Sequence, residues 1–563
     1  MPWQNQRIRR WLDRVEPPES FVLVMSALVI GSMTGLGAVF FIWLLGQFSD
    51  GTQWVQDNLG IGGLFLVMGV AGLLVGFLID RWASEAKGHG VPEVMEALVL
   101  HNGRIRPQVA AIKVLASSLT IGAGGSAGRE GPIVQVGSAL GSTLGQILHF
   151  SADRVRTLVA CGAAAGIAAT FNAPIAGSIF ALEVILGKFT VRYFGAVVMS
   201  SVAASIVGRA FLGDKPAFTV PAYPLNHLGE LGIYAVLGVL SALAAVLFIR
   251  LLYLLEGRFD EWRLPLPVKT AVGLALTAGV ALLLPGREVL GPGLDFIGEA
   301  IAEDFSLTMG LMGALLVLKL LATSFTLGSG NSGGVFAPAL FMGAILGGMV
   351  GAAAHQLWPE VAINPGAYAI VGMAAVFAGA AHAPITAVLI VFEMSNDYKL
   401  ILPLMLTTVL STLLAEHIFS ESIYTLKLKL KGISLERGRD LDLLQSILVR
   451  EAMTKDVYVV QEDMPLEQLD RYFHQTHAHS FPVVDGDMNL MGMVSLRDYD
   501  RAMKMPDHEQ IQVNDIATTG GLLVAFEDEP LSDALRRIGT RGVNKLPVVT
   551  RENPRRVLGV VRR

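Results

Sequence analysis

The sequence predicts an all-α polytopic membrane protein with inverted internal repeats, followed by a small cytoplasmic α/β tail. Three observations carry this prediction. Charged residues are only 16% of the 563 and hydrophobic ones 52%, whereas soluble domains carry roughly 25% charge. A glycine loop ending in proline occurs twice, 206 residues apart, and each copy opens an apolar segment. After Ile418 the hydropathy collapses into a polar tail with its own short repeat.

Residues 1–19 read as an amphipathic interfacial helix. Arg7, Arg9, Arg10 and Arg14 precede the first span, which places the N-terminus in the cytoplasm by the positive-inside rule. No small-residue cleavage site follows this polar start, so no cleavable signal peptide is expected. Residues 20–48 are long enough to span a bilayer with tilt. A polar connection and a second span at 63–78 follow. Lys87-Gly88-His89-Gly90-Val91-Pro92-Glu93 is a short glycine unit whose proline can open a helix. The loop 103–107 holds Arg104 and Arg106. Apolar segments then run over 107–122, 133–148, 155–170, 174–186, 193–212, 233–255, 268–284 and 307–327, several too short to cross a membrane at a normal angle. The membrane region is expected over 20–432, with repeats at about 20–215 and 229–432.

The first glycine loop is Gly124-Gly125-Ser126-Ala127-Gly128-Arg129-Glu130-Gly131-Pro132. Its glycines permit tight turns that bare backbone amides, and Pro132 suits the first turn of a helix. A helix N-terminus carries free N–H groups and partial positive charge, and so attracts anions. Glu130, an acid at membrane depth, is a functional candidate. The second loop, Gly328-Ser329-Gly330-Asn331-Ser332-Gly333-Gly334-Val335-Phe336-Ala337-Pro338, repeats the pattern. Pro132 and Pro338 are each followed by glycine five and nine residues on (Gly137, Gly141; Gly343, Gly347). At a second offset, 210, Ala173-Pro174-Ile175 matches Ala383-Pro384-Ile385, Glu183 matches Glu393, and Gly162 matches Gly372. Interrupted helices at corresponding places in two halves point to a transporter's binding site. If the repeats are inverted, the helix starts after Pro132 and Pro338 converge near the midplane on an anion site built from amides.

Lys427, Lys429 and Lys431 fit a cytoplasmic exit from the membrane. In the tail, Phe481-Pro482-Val483-Val484 precedes Met491-Gly492-Met493-Val494-Ser495, and Leu546-Pro547-Val548-Val549 precedes Leu558-Gly559-Val560-Val561. A helical stretch lies before each, at 466–476 and 531–542. The domain is expected over 433–563, with modules at about 448–505 and 513–563.

Other classes are disfavoured. A net charge of −5 gives no nucleic-acid footprint. The lone Cys161 excludes an intrachain disulfide. The methionines form no metal group, and no metal site is expected. A divalent-cation transporter regulated by its tail would need clustered carboxylates facing a pore, whereas these loops offer amides and one acid. H-E-x-x-H, G-x-S-x-G and Walker patterns are absent, so the chain does not read as an enzyme. Glu183 and Glu393 read as helix-end caps or pairs before functional acids, and His101 and His382 as ordinary polar contacts.

The motifs resemble the CLC family of chloride channels and proton-coupled chloride exchangers over about residues 20–430. Gly128-Arg129-Glu130-Gly131-Pro132 matches its GREGP, Gly334-Val335-Phe336-Ala337-Pro338 its GxFxP, and Gly88-His89-Gly90-Val91-Pro92 stands where GSGIP is expected. The tail resembles a pair of CBS domains. The resemblance implies a homodimer with one anion pathway per subunit, embedded in membrane lipid. It implies a chloride ion held by the amides of Val335 and Phe336, the Tyr424 hydroxyl and residue 89, with Glu130 as the gate. His89 departs from the usual serine: it either coordinates the anion or turns away, which leaves anion preference open. Val184 falls where many exchangers place an internal proton-relaying glutamate. The expectation is therefore a passive voltage- or pH-gated chloride channel, with proton-coupled chloride exchange as the alternative. The resemblance also implies an adenine nucleotide at the CBS pair, its ribose on Asp498. The second module reaches Gly559-Val560-Val561-Arg562-Arg563 with no matching acid. The expected location is a bacterial inner membrane with both termini cytoplasmic.

Overall fold

The computed structural model describes residues 19–187, 191–213, 221, 223, 227–302, 307–395, 397–433, 447–476, 478–505, 508–520, 522–541 and 543–562. The interfacial helix expected over 1–19 lies outside these, save for Glu19. The chain divides into two compact units, Met1–Gly438 and Arg439–Arg563.

The first unit is helical. Its first element, α1 (Glu19–Trp82), corrects the sequence reading. The polar stretch expected to connect two spans is itself helix, and the break comes at Gly60 (φ 60°, ψ −138°). Polarity ends bilayer burial but does not end a helix. Thr52 and Asn58 return their side-chain hydrogen bonds to Phe48 O and Trp54 O, one turn back. Glycine at 60 supplies the left-handed φ that turns the chain. Then come α2 (Val91–Leu100), α3 (Gln108–Gly122), α4 (Glu130–Ile147), α5 (Ala152–Phe171) and α6 (Pro174–Phe180). α6 runs on into a π-turn at Ala181–Ile185, and α7 is Val191–Leu212. The second half has α8 (Glu230–Glu261), α9 (Leu266–Ala281), α10 (Leu294–Ile301), α11 (Met309–Gly328), α12 (Phe336–Leu357), α13 (Pro365–Ala381), α14 (Pro384–Ser395), α15 (Ile401–Ile418) and α16 (Thr425–Leu430). Among the described residues, seven helices are long and apolar enough to cross a membrane.

Reciprocal contacts relate the halves, as a two-fold relation requires: if i touches j in one copy, the equivalents of j and i touch in the other. Gly128 N donates to Gly334 O (2.8 Å) and Gly334 N to Gly128 O. Ser117 meets Ser332 (2.9 Å) and Ser126 meets Thr323 (3.0 Å), each pair the other's equivalent at an offset of 206. The Glu393 carboxylate accepts from the amides of Ile175 and Ala176 at the start of α6. Glu183 accepts from Ile385 and Thr386 at the start of α14. Both acids are helix-end caps, as the sequence suggested.

The glycines matched by sequence are packing points. A Cβ on Gly162 would lie 1.9 Å from Gly137 O, and one on Gly372 2.3 Å from Gly343 O. Helices α4 and α5, and likewise α12 and α13, thus touch through backbone. Close approach through small residues is how helices associate where lipid removes the hydrophobic drive.

The second unit holds two copies of one motif. Strands β1 (Val460–Gln461), β2 (Ser480–Val484) and β3 (Leu490–Ser495) form one sheet, with β1 parallel and β3 antiparallel to β2. β4 (Ala525–Phe526), β5 (Lys545–Val549) and β6 (Val557–Arg562) repeat it, with a bulge at the same place. Amphipathic helices at Leu466–Thr476 and Leu531–Arg541 cover them.

Candidate anion site

Three loops build the site. In the first, Gly88 (φ 77°) and Gly90 (φ 89°) hold left-handed conformations on either side of His89. Side chains with a Cβ rarely adopt that backbone. Lys113, fully buried on α3, donates to Ala86 O (3.0 Å) and Gly88 O (2.7 Å) and so fixes this loop. Val91 and Pro92 form the first turn of α2. In the second loop, Gly128 bridges to Gly334, Arg129 caps α4, and Glu130, Gly131 and Pro132 are its first three residues. In the third, Val335 caps α12, and Phe336, Ala337 and Pro338 begin it. The first amides of both helices have no partner within their own helix, and both N-termini carry partial positive charge. Gly333 N donates to Gly88 O (3.3 Å), which ties the first loop to the third.

His89, Glu130, Val335, Phe336 and Tyr424 meet around one narrow cavity, too tight to admit a free water molecule. The gate and the anion ligands implied by the resemblance thus lie together. Val91 and Gly131 also line it. Glu130 is fully buried; its carboxylate faces the backbone amides of Glu130 itself and Ala337, and no side chain among the described residues hydrogen-bonds it. It lies against Gly128, where a Cβ would stand 2.1 Å from Oε2. Only glycine leaves the carboxylate that place. Tyr424 is buried with its ring centroid 6.2 Å from that of His89.

Sequence reasoning missed several residues here. Val134, Ile167 and Phe180 supply the apolar wall of the cavity. Tyr253 on α8 receives His89 Nε2 at 3.1 Å, and no motif marked it. Lys113 did have a signal. Lys319 follows it by 206 residues and holds Val289 O (3.0 Å) and Gly291 O (2.8 Å). The loop Gly291-Pro292-Gly293 is thus the second-half equivalent of the His89 loop.

Beside the cavity lies a wide vestibule of about 1150 Å³, lined among others by Glu93, Tyr253, Glu256 and Lys427. Lys427 is buried and pairs with Glu93 (2.8 Å) and Glu256 (3.7 Å). Lys429 pairs with Glu421 and Lys431 with Glu96. The three lysines read as an exit signal are therefore each matched by an acid. Val184 sits in the π-turn after α6, packed into the hydrophobic core. Asp498 accepts from Ser495 N (3.0 Å) and Ser495 Oγ (2.6 Å). Its carboxylate caps its own helix, Leu496–Ala502.

The sequence profile described as "Voltage gated chloride channel" matches residues 71–416. The CBS domain profile matches 449–504 and 513–563. The "H(+)/Cl(-) exchange transporter ClcA" of Vibrio campbellii is 32% identical over 429 residues, 74% of this chain and 91% of that protein. The "Putative chloride channel protein ClcB-like" of Ralstonia nicotianae is 35% identical over 380 residues, 67% of this chain and 86% of that one. A slow cyanobacterial Cl-/H+ antiporter superposes with a TM-score of 0.68 at 26% identity, covering 73% of this chain and 97% of that one. A eukaryotic CLC transporter shares the fold over 96% of this chain and 97% of its own (TM-score 0.67, 19% identity). With its loops, its two-fold scaffold and these relatives, the chain belongs to the CLC family of voltage gated chloride channels and chloride transporters, and it carries a CBS-domain pair.

Proposed function

We propose that this protein exchanges chloride for protons across the membrane, with Glu130 as its gate. The reading rests on one observation: a buried carboxylate, facing the backbone amides of Glu130 and Ala337 and with no side-chain hydrogen-bond partner among the described residues, shares a narrow cavity with His89 and with the proposed anion ligands Val335, Phe336 and Tyr424. An ionised carboxylate there mimics an anion and competes for the amides at the starts of α4 and α12. Protonation removes that charge and releases the amides to chloride. Proton occupancy and anion occupancy are thereby linked at one group, the minimum that coupled exchange requires.

The names of the relatives weigh the same way. Several are called H(+)/Cl(-) exchange transporters, which favours exchange over the passive channel expected from Val184. The channel remains the second reading. It is supported by the missing acid at 184 and by the relative named a putative chloride channel.

The proposed assembly is a homodimer in a bacterial inner membrane, with both termini cytoplasmic and one pathway per subunit. For the tail, the proposed ligand is an adenine nucleotide at the first module only, where ribose would displace Ser495 from Asp498. Calorimetry on the full-length protein with ATP, ADP and AMP tests this: no heat from any of them overturns it.

The transport test uses liposomes with the voltage clamped by valinomycin and an imposed chloride gradient. Uphill proton movement at a fixed ratio to chloride is expected. Chloride flux with no accompanying protons would overturn exchange and leave the channel.

A further inference from the structure

We infer that His89 is a proton-carrying station on the transport path, standing between the anion cavity and the vestibule; the inference rests on the exchange reading above. The hydrogen bonds define how the ring is set. Tyr253 has one hydroxyl hydrogen, and it donates that hydrogen to Ile423 O at 2.6 Å, because a carbonyl can only accept. The contact between Tyr253 Oη and His89 Nε2 at 3.1 Å must then run the other way, from Nε2–H to the tyrosine oxygen. A neutral imidazole has a single N–H. Nδ1 is therefore a bare lone pair. It is buried, and it has no hydrogen-bond partner among the described residues.

A serine at this place would offer the anion a hydroxyl donor. Neutral His89 offers none, because its only N–H belongs to Tyr253. What it offers instead is a base, on a ring that lines the same cavity as Glu130. The opposite nitrogen points to Tyr253, which lines the vestibule with Glu93, Glu256 and Lys427. The imidazole thus lines the anion cavity and reaches toward the vestibule through Nε2 and Tyr253, whereas Val184 cannot carry a proton.

The transfer balances. Protonated Glu130 gives its proton to Nδ1, leaving a carboxylate and an imidazolium. The Tyr253 hydroxyl first turns its hydrogen from Ile423 O to vestibule water and releases it there, while its oxygen takes the Nε2 hydrogen of the imidazolium; the new hydroxyl then turns back to Ile423 O. The ring is left neutral with its hydrogen on Nδ1, and tautomer exchange resets it. The reverse sequence carries a proton inward to the gate. Imidazolium also turns Nδ1 into an N–H donor, so anion in the cavity and proton on the ring favour one another. The titratable and charged groups around the ring are Glu93, Lys113, Glu130, Tyr253, Tyr424 and Lys427.

The test measures the ratio of protons to chloride moved by the full-length protein in liposomes, so that a change in rate alone does not register. His89→Asn and His89→Ser keep a small polar group but remove the base. Each is expected to lower the ratio at least about tenfold, since a lost proton-transfer group costs about 100-fold or more in transfer rate. Tyr253→Phe leaves the ring and removes the acceptor of Nε2–H, and it should lower the ratio as well. A wild type that couples protons while His89→Asn keeps the wild-type ratio overturns the inference alone. A wild type that moves chloride without protons overturns the exchange reading and this inference with it.

Discussion

The two glycine loops of the membrane unit occupy equivalent places and differ at one decisive position. Gly128 and Gly334 pair with each other through reciprocal backbone hydrogen bonds. At the same offset, Arg129 corresponds to Val335 and Glu130 to Phe336. Both acid and phenylalanine are the first residues of their helices and both line the cavity. Phe336 packs on Phe377 with ring centroids 4.0 Å apart, and on Phe171 at 5.1 Å. Its aromatic neighbours fix it, whereas no side chain among the described residues hydrogen-bonds Glu130. Symmetry builds the container, and the departure from symmetry puts a titratable group in it.

The sharpest way to break this comparison is to make the first loop as inert as the second. Glu130→Gln keeps the shape and removes the titration. Proton flux is expected to fall about 100-fold or more, and the pH dependence of chloride flux to vanish. Paired chloride and proton recordings check this, and a persisting pH dependence would assign the gate elsewhere.

The next effect should be alike in both halves. Gly162→Ala and Gly372→Ala each drive a methyl into backbone of the facing helix. Overpacking costs about 1–3 kcal/mol in ordinary cores and more where backbone is the obstacle. Both variants should show a large loss of thermal stability in detergent. If only one does, the halves are not mechanically equivalent.

Lys113→Met and Lys319→Met ask where equivalence ends. Lys319→Met leaves the Val289 and Gly291 carbonyls without their lysine donor, at about 1–3 kcal/mol per unsatisfied group, whereas after Lys113→Met Ala86 O keeps Ser332 Oγ and Gly88 O keeps Gly333 N, so its cost is smaller. Both should therefore destabilise. Only Lys113→Met should also weaken chloride binding, because its loop walls the anion cavity. Isothermal titration with chloride separates the two.

The smallest effect concerns the cross-caps. Glu183→Ala and Glu393→Ala each remove a helix-end acceptor, for about 1 kcal/mol of stability. Neither should change the proton-to-chloride ratio; a change at Glu183 would make that acid functional.

Much of this was legible in the sequence because the repeat is literal. Two offsets, 206 and 210, located both loops, both glycine contacts and both capping acids before any coordinates. The Gly-Arg-Glu-Gly-Pro stretch singled out Glu130, the proposed gate. What stayed hidden has physical reasons. Phe180 reaches the cavity, and Tyr253 reaches His89, from within helices and away from any loop motif, so only packing reveals them. The polar stretch within α1 hid a helix because hydropathy reports burial in lipid, not backbone conformation. The role of His89 depended on which nitrogen is occupied, and that depends on a tyrosine 164 residues away.

The bridge between Gly128 and Gly334 has a consequence for how the protein is made. At about 5–20 residues per second, the ribosome supplies Gly334 roughly 10–40 seconds after Gly128. Over that interval Gly128 N and O lack their partner, and the amides opening α14, to which Glu183 will bind, do not yet exist. Unpaired backbone is not tolerated against hydrocarbon. The nascent first half must therefore be kept from settling in lipid until its counterpart arrives, by the insertion machinery or by water retained around the loop. A chain stopped after residue 215 should be an insertion intermediate rather than a half-sized transporter.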